Sequence, residues 1–361
     1  MKLLTLRGGR PERGRRGNIL VTLALSLIVL LGAVGLGVDY AMLVADASRL
    51  QQSCDFAALA GALKLKNTPQ DGDSDDVANA RADADRVARD QMDAVQGLRI
   101  SFAQDNTQIR VEADYLRRHY FIRVLGFSES TITRWATAEA SVVAGLSGAA
   151  PLAITTTDYN NYKNGDPLTV RMARNQDESF DPGDVLGMSM DQNTSKPVND
   201  WEDEVKDGSD LSVALGQEVV NSINADTRNQ GRRLVSALST AVDSRIARAA
   251  QSPWNDTGST YTYPSYPGDD PRVMTILVCD EKPQYSGTSF YPFAVERLIA
   301  VYLEDSYRTG TEAYMRIRIL PYKAYSSETP GLVIGGPNTV NSGLYVIRLI
   351  DDLDARQVAG L

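Results

Sequence analysis

The chain has 361 residues, of which 43% are hydrophobic and 23% charged, an ordinary composition for a folded protein of more than one domain. Its formal net charge of −9 and pI near 4.9 exclude the class of nucleic-acid-binding proteins, which carry a basic face. The two cysteines, Cys54 and Cys279, provide neither a disulfide framework nor the spacing of a metal motif. We therefore expect structural thiols and no cofactor.

The first predicted element is a membrane-spanning helix over residues 19–38. This stretch of 20 residues contains no charge. At about 1.5 Å per residue it measures about 30 Å, the thickness of the hydrocarbon core of a bilayer. Basic residues precede it, whereas Asp39 and Asp46 follow it, so the positive-inside rule predicts a cytoplasmic tail over 1–18 and an extracytoplasmic remainder. The basic residues are Lys2, Arg7, Arg10, Arg13, Arg15 and Arg16.

A cleavable signal peptide is the alternative interpretation, because Ala45-Asp46-Ala47 offers an A-x-A pattern. The apolar run exceeds the roughly 7–15 residues of a signal peptide and the pattern lies well past its end, so we favour a retained anchor. Four small residues near the end of the segment would let another helix approach closely, which predicts a packing site for a homo- or hetero-oligomer. They are Gly32, Ala33, Gly35 and Gly37.

The helix is predicted to continue past the membrane boundary, because small or apolar residues recur in alternating steps of four and three and no proline interrupts it before Pro69. Residues 19–66 would then form one rod of about 70 Å. The small side chains of its outer half leave room for a sheet or a second helix to pack against the backbone. The recurring residues are Leu43, Ala47, Leu50, Cys54, Ala57 and Gly61.

The same region carries a combination of short motifs. They are Arg16-Gly17, an apolar span with late glycines, Asp39-Tyr40, Leu50-Gln51 and the run DFAALAGA over 55–62. In this combination the chain resembles the N-terminal module of TadE/TadG-like proteins of the bacterial Tad (Flp) pilus assembly system, and the resemblance extends to about residue 145. A processed pilin-like precursor cut after Gly17 would need a glutamate where this chain has Thr22, so the uncleaved TadG-like branch is the better match.

The resemblance implies a bacterial inner-membrane protein that positions or anchors pilus machinery without catalysis. Its implied partners are other Tad pilus assembly proteins or pilins and membrane lipid, with no nucleic acid. Some relatives carry a von Willebrand A domain, whose metal site uses a D-x-S-x-S loop. The nearest string, DGSDLS over 207–212, has the wrong spacing, so we predict that this domain is absent. The acidic run over 71–76 lacks the glycine and the glutamate of a calcium loop.

The predicted fold class is α+β: the long transmembrane helix continues into a small α+β pilin-like head over 39–145, and a β-rich domain with a helical insert covers 151–361. The small-residue stretch GLSGAAP over 145–151 marks the boundary. In the head, a linker over 67–76 precedes a helix over 77–95, strands over 98–103 and 108–115, a short helix or loop, and a strand over 131–143.

Beyond the boundary, the periodicity predicts helices over 211–223 and 234–249 and several strands. The strands are 168–173, 185–190, 273–279, 295–303, 313–320 and 344–350. A tyrosine-rich loop over 254–271 offers two interpretations, anchoring of the loop or a binding surface. Its aromatic residues are Trp254, Tyr261, Tyr263 and Tyr266.

Candidate chemistry is sparse. His119 is the single histidine, and no Ser, Cys or Asp lies at a spacing that would make it a catalytic partner. No phosphate-binding, dinucleotide-binding or hydrolase motif occurs in the sequence. Asp39 is predicted either as a water-facing carboxylate at the lipid boundary or as a pairing site for a partner's basic residue, and Asp55 as an acceptor within the head. We therefore predict a non-enzymatic structural protein. The alternatives are a membrane-tethered adhesin or envelope-binding module and, less favoured, an anchored hydrolase.

Overall fold

The structure is a computed structural model of the full chain. It describes residues 16–65, 76–92, 95–103, 107–162, 166–172, 180–191, 196–220, 223–224, 230–251, 263–265, 270–281, 292–309, 312–321, 323–325, 328–335, 339 and 343–350. Residues 1–15 of the predicted basic tail (1–18) and residues 67–75 of the predicted linker (67–76) lie outside the described residues.

A single helix, α1 (Arg16–Ala62), joins the apolar segment to the head. Its 47 residues correspond to about 70 Å, and they confirm the prediction that the helix continues past residue 38 without a break. The side chains of residues 20–31 are all exposed, whereas Leu50, Cys54 and Ala57 are completely buried. The same helix therefore presents apolar side chains outward in its first half and packs into a protein core in its second half.

The head consists of α1, a second helix and three antiparallel strands in the order β1-β2-β3. Its remaining elements are α2 (Asp76–Gln91), β1 (Val95–Ala103), β2 (Gln108–Arg118), a 3₁₀ helix (Ile122–Leu125) and β3 (Glu129–Leu146). Three alanines of α2 face α1 and are buried, and the hydroxyl of Ser53 donates to the carbonyl oxygen of Ala88 at 3.0 Å. Small residues on both helices thus allow the close approach that the sequence predicts.

The remainder of the chain forms strands with a few helices. The first group is β4 (Leu152–Thr155), α3 (Thr156–Asn161), β5 (Pro167–Met172), β6 (Asp184–Gly187), β7 (Lys196–Pro197), α4 (Val198–Asp207), β8 (Val213–Ala214), β9 (Glu218–Val220) and β10 (Ile223–Asn224). The second group is α5 (Gln230–Ala250), β11 (Val273–Cys279), β12 (Pro292–Thr309), β13 (Glu312–Ile319), β14 (Lys323–Tyr325), β15 (Val333–Ile334) and β16 (Leu344–Ile350).

Six of these strands close into a ring, because β11-β4-β6-β5-β13-β12 pair in that order and β12 also pairs with β11. Alternate residues of the strands feed two different cores. Along β11, Met274 and Ile276 join a core with α4 and α5, whereas Leu277 packs into a core with residues of β3, β8 and β16. Both faces of β11 are buried, which explains the continuous apolar run of its sequence.

The head sheet does not end at the predicted boundary. Strand β16 pairs with β3 in antiparallel register, with Tyr345 opposite Val142, and β14 pairs with β16. Tyr345 packs into the head core, while its neighbours Leu344 and Val346 pack into the adjacent core. The head sheet therefore contains strands from both sides of the stretch 145–151. The domain boundary predicted at that stretch stays a prediction.

The helix predicted over 211–223 is wrong. Val213–Ala214 pairs with β3 and Glu218–Val220 pairs with β12, and a turn at Gly216 with φ of 77° separates them. The window satisfied the helical period by chance, since Val213 and Val219 are buried through strand pairing. A glycine in the left-handed region is a turn signal that outweighs such a short periodic run. The helix predicted over 234–249 corresponds to α5.

Candidate functional site

The hairpin of β2 and β3 runs alongside α1 and is bonded to it at successive levels. The thiol of Cys54 donates to the carbonyl oxygen of Arg134 at 3.4 Å, and the amide of Gln51 donates to the carbonyl oxygen of Trp135 at 2.9 Å. Nearer the apolar segment, the guanidinium of Arg117 donates to Asp46 at 2.8 Å. The hairpin therefore runs along α1 from the head toward the apolar half of the helix.

Asp39 forms the next contact, at the point where the apolar segment ends. Its carboxylate accepts hydrogen bonds from the backbone N–H groups of Tyr120, Phe121 and Ile122 at 3.0, 2.8 and 2.7 Å. The side chain is buried although it follows a stretch of exposed apolar residues. Asp39 thus fastens the start of the 3₁₀ helix (Ile122–Leu125) to α1 within the chain itself.

The electrostatics of Asp39 favour its charged form. Burial alone would raise the pKa of this carboxyl, but the three N–H donors, with a smaller contribution from the nearby His119, outweigh burial and hold the pKa below its ordinary value of 3.8. A carboxylate that accepts several backbone N–H bonds is a charge-assisted acceptor, which makes these bonds stronger than neutral ones. The contact is consequently strongest when Asp39 is ionised.

We expect this contact to open in acid. Because folding lowers the pKa of Asp39, its contribution is present above the unfolded value of 3.8 and is lost as the pH falls through the lower, folded pKa. Exchange of the amide hydrogens of Tyr120, Phe121 and Ile122 should accelerate over that window after correction for intrinsic rates. In the variant Asp39→Asn these amides should exchange faster at neutral pH and lose the acid dependence; unchanged protection would contradict the assigned role.

The four predicted helix-packing residues differ in their surroundings. A Cβ placed on Gly35 would lie 2.7 Å from Cδ1 of Phe121, so Phe121 packs directly against the helix backbone there. A Cβ on Gly32 or Gly37 would meet nothing within 4 Å, and Ala33 is exposed. Gly35 is therefore covered by the chain's own loop, and the use of Gly32, Ala33 and Gly37 by another helix stays a prediction.

Asp55 lies on the head half of α1 and is partly buried. Its carboxylate accepts a hydrogen bond at 2.8 Å from the amide of Gln51, which also donates to the carbonyl oxygen of Trp135. Asp55 thereby orients Gln51 toward β3. This contact agrees with the predicted place of Asp55 among acceptors of the head, and a partner contact at Asp55 stays a prediction.

The described residues do not assemble a catalytic constellation around the residues that the sequence singled out. Nε2 of His119 lies 2.8 Å from the hydroxyl of Ser130. Cys54 is buried, and burial raises the pKa of its thiol to about 12, which leaves it protonated and unreactive. Among the described residues, no group of three or more His, Cys, Asp or Glu side chains could hold a metal ion. The absence of a cofactor stays a prediction.

The tyrosine-rich loop is only partly described. Trp254, Tyr261 and Tyr266 lie outside the described residues. The ring of Tyr263 lies 6.0 Å from that of Tyr302, and the guanidinium of Arg318 lies 5.1 Å from the ring centre of Tyr263. Tyr263 is therefore packed against the body of the protein, which favours the anchoring interpretation at this position.

Sequence reasoning missed the most unusual surface, the β2–β3 loop (His119–Ser128). The loop exposes several large apolar side chains beside α1, and Gly126, with φ of 96°, ends its 3₁₀ helix by donating to the carbonyl oxygen of Arg123 at 3.1 Å. The signal was present in the string HYFIRVLGF, which is more apolar than a solvent-exposed turn needs to be. The exposed apolar residues are Tyr120, Phe121, Val124, Leu125 and Phe127.

The fold and this site define a class of protein. It is an α+β protein with one long helix, whose first half is apolar and exposed and whose second half forms the core of the head. Among the described residues, α1 is the one helix long and apolar enough to cross a membrane, which is consistent with a single-pass anchor. Residues 17–64 match a family model, Tad, described as putative Flp pilus-assembly TadE/G-like. No curated protein and no solved structure matches the chain.

The matched segment is nearly the whole of α1. The segment over 17–64 therefore resembles TadE/G-like proteins, and this match supports involvement in pilus assembly, interaction with other pilus components and a structural role. The match ends before α2, so the resemblance over 65–145 stays a prediction. The assignment to a branch without a von Willebrand A domain also stays a prediction.

Proposed function

We propose that this protein is a non-enzymatic structural component of Tad/Flp-type pilus assembly, anchored in the bacterial inner membrane by residues 19–38. The observation that carries the proposal is the continuity of α1, which is exposed and apolar in the TadE/G-like span and then buried in the head without a break. The basic residues before the span and the acidic residues after it favour a cytoplasmic N-terminus and an extracytoplasmic head.

The contacts between α1 and the hairpin suit a component that transmits force. They extend from Cys54 back to Gly35, which at about 1.5 Å per residue spans about 28 Å of helix. A head attached at one point would pivot on its anchor, whereas a head held at five levels, four by hydrogen bonds and one by the packing of Phe121 on Gly35, moves with the helix. A load applied to the head would therefore reach the membrane segment through a rigid connection.

The proposed partners are other pilus assembly proteins or pilins, together with membrane lipid. Ala33 and Gly37 lie about one turn apart on one face of the membrane segment, and Gly32 lies beside that face; all three are exposed, and a Cβ at Gly32 or Gly37 would meet nothing within 4 Å. Such small-residue faces let transmembrane helices approach closely, so we propose this face for contact with another membrane helix.

Releasing the head from the membrane tests the proposal. Replacing residues 1–38 with a cleavable signal sequence should export a folded head and body but abolish surface pili, because the exported protein no longer connects the machinery to the membrane. Piliation is measured by electron microscopy and by sheared-pilin yield. Normal piliation with the released form would overturn the anchoring role.

The matched control keeps the anchor and changes its surface. An unrelated apolar helix of the same length in place of residues 19–38 should restore membrane retention, and any remaining defect then reports contacts of the native span. In the unaltered chain, a membrane-impermeant maleimide should reach Ser101→Cys in intact spheroplasts, because Ser101 is exposed on β1. Labelling only after lysis would reverse the proposed orientation.

A further inference from the structure

The β2–β3 loop exposes apolar side chains of the kind that are normally buried in a protein core. Val124 is 89% exposed, Phe127 67% and Leu125 66%. Val124 and Leu125 are the last residues of the 3₁₀ helix and Phe127 follows two residues later, so three exposed apolar side chains lie within four consecutive residues and are taken together as one apolar patch. Contiguous apolar surface of this kind on a folded protein marks a place of contact with a partner or a membrane.

The position of the patch relative to α1 is fixed by the contacts already described. Asp39 binds the backbone of the loop at the end of the apolar span, and Phe121 packs on Gly35 within that span. Gly35 lies four residues before Asp39, which corresponds to about 6 Å along the helix axis. Apolar elements that lie in a membrane interface bury about 5–10 Å into the boundary between headgroups and acyl chains.

The composition of the loop also fits this depth. Tyr120 is exposed and is bonded through its backbone to Asp39 at the end of the apolar span, and tyrosine is enriched at membrane–water interfaces. Arg118 and Arg123, which lie before and after the first residue of the 3₁₀ helix, are both exposed. Arginine can extend its guanidinium toward headgroup phosphates while its stem remains among apolar groups. Arg117 is occupied by Asp46 and stacks over Tyr120 at 5.5 Å, so it holds the base of the loop.

We propose that the β2–β3 loop is a second membrane contact, which inserts Val124, Leu125 and Phe127 among the phospholipids of the leaflet on the side of the head. The inference rests on the proposed anchoring of α1. Lipid is favoured over a protein occupant because the loop that carries the patch reaches the apolar span, where Phe121 contacts Gly35. Two contacts, the span and the loop, fix both the depth of the head and its rotation about the helix axis.

The test uses the full chain with single introduced cysteines carrying an environment-sensitive fluorophore, reconstituted in vesicles of phosphatidylethanolamine and phosphatidylglycerol. Val124→Cys reports the loop, Leu25→Cys reports the span and Ser101→Cys reports the distal face of the head. Cys54 and Cys279 are buried, so the unaltered chain measures the labelling background. Nitroxide-bearing lipids then quench labels that touch the bilayer.

We expect lipids with the nitroxide near the headgroup to quench the label at 124 about threefold more than the label at 101, because an interfacial element lies about 5–10 Å into the boundary. The label at 25 should be quenched most by lipids with the nitroxide deep in the acyl chain. Quenching at 25 without quenching at 124 overturns the loop contact and leaves the anchor intact. Lack of quenching at 25 overturns the anchoring itself.

A protein occupant gives a different signature. If the label at 124 shifts its emission to the blue but no lipid nitroxide quenches it, the patch is covered by protein, which in these vesicles means a second copy of the chain, and the proposal is wrong. A second pair of variants distinguishes loss of insertion from loss of folding. Both carry the label at Phe127→Cys, and each has a different substitution at Val124. Val124→Asp should abolish quenching at 127 and Val124→Leu should preserve it, while circular dichroism stays unchanged for both; equal quenching would contradict insertion.

Discussion

Replacing Gly61 with leucine is expected to lower the free energy of unfolding by about 3 kcal/mol, because the new side chain has no room between α1, α2 and β2. A Cβ at this position would lie 3.1 Å from the carbonyl oxygen of Ala80 and 3.2 Å from Cβ of Ala84, and closer still to the side chain of Ile109. Ile109 could turn away, but the backbone of α2 cannot move without separating the two helices. Urea unfolding of the full chain in detergent, followed by circular dichroism, measures the change.

Gly32→Leu is the matched control, since it makes the same substitution in the same helix. In the isolated chain, without a partner helix, nothing lies within 4 Å of a Cβ at Gly32, so leucine there brings only the gain in helix propensity, about 1 kcal/mol. Both variants share that gain, and their difference isolates the cost of overpacking. Equal stabilities for the two variants would show that the helices of the head are not closely packed.

Arg272→Met is expected to cost about 3–5 kcal/mol, because it leaves the carboxylate of Asp270 buried without its counter-ion. The guanidinium of Arg272 donates to Asp270 at 2.9 and 2.5 Å, and Asp270 is only 4% exposed. Methionine retains an apolar stem against Tyr302, whose ring lies 4.9 Å from the guanidinium carbon. The loss therefore reports the unpaired charge rather than a cavity, and the same urea titration measures it.

Two further variants test that reasoning. Arg316→Met removes an arginine that pairs with Glu304 at 2.9 Å but is half exposed, and a pair of this kind contributes about 0–1 kcal/mol. The double variant Asp270→Asn with Arg272→Met should recover part of the loss, because no buried charge remains. A cost at Arg316 as large as that at Arg272 would mean that burial does not decide the strength of these pairs.

The elements that sequence predicted well are those whose signal is local. The apolar span and the small-residue stripe through Cys54, Ala57 and Gly61 predicted a continuous α1, because each residue reports its own face of the helix. The strands of the head carried regular alternation and turn residues. The helix predicted over 211–223 failed because a short periodic run cannot be distinguished from two strands that happen to share its spacing.

The ring of strands and the candidate site were harder to predict, for a different reason. The ring depends on the pairing of β11 with β4 and of β13 with β5, and the enlarged head sheet depends on the pairing of β16 with β3. Each of these pairings joins residues that are distant in sequence, and nothing in either strand specifies its neighbour. Asp39 was singled out, but its partners were not, because backbone N–H donors occur at every residue other than proline. The exposed loop was missed because a short apolar sequence is as typical of a buried segment as of an exposed contact surface.

The return of β16 to the head has a consequence for biogenesis. Tyr345 completes a hydrophobic core whose other residues are synthesised much earlier, and its strand is flanked by β3 and β14. If the chain is threaded across the membrane starting from its anchor, the head emerges first but lacks this strand until the downstream body has followed. Export and maturation are then coupled, and a nascent chain stalled before Leu344 would present an unprotected sheet edge to chaperones and proteases.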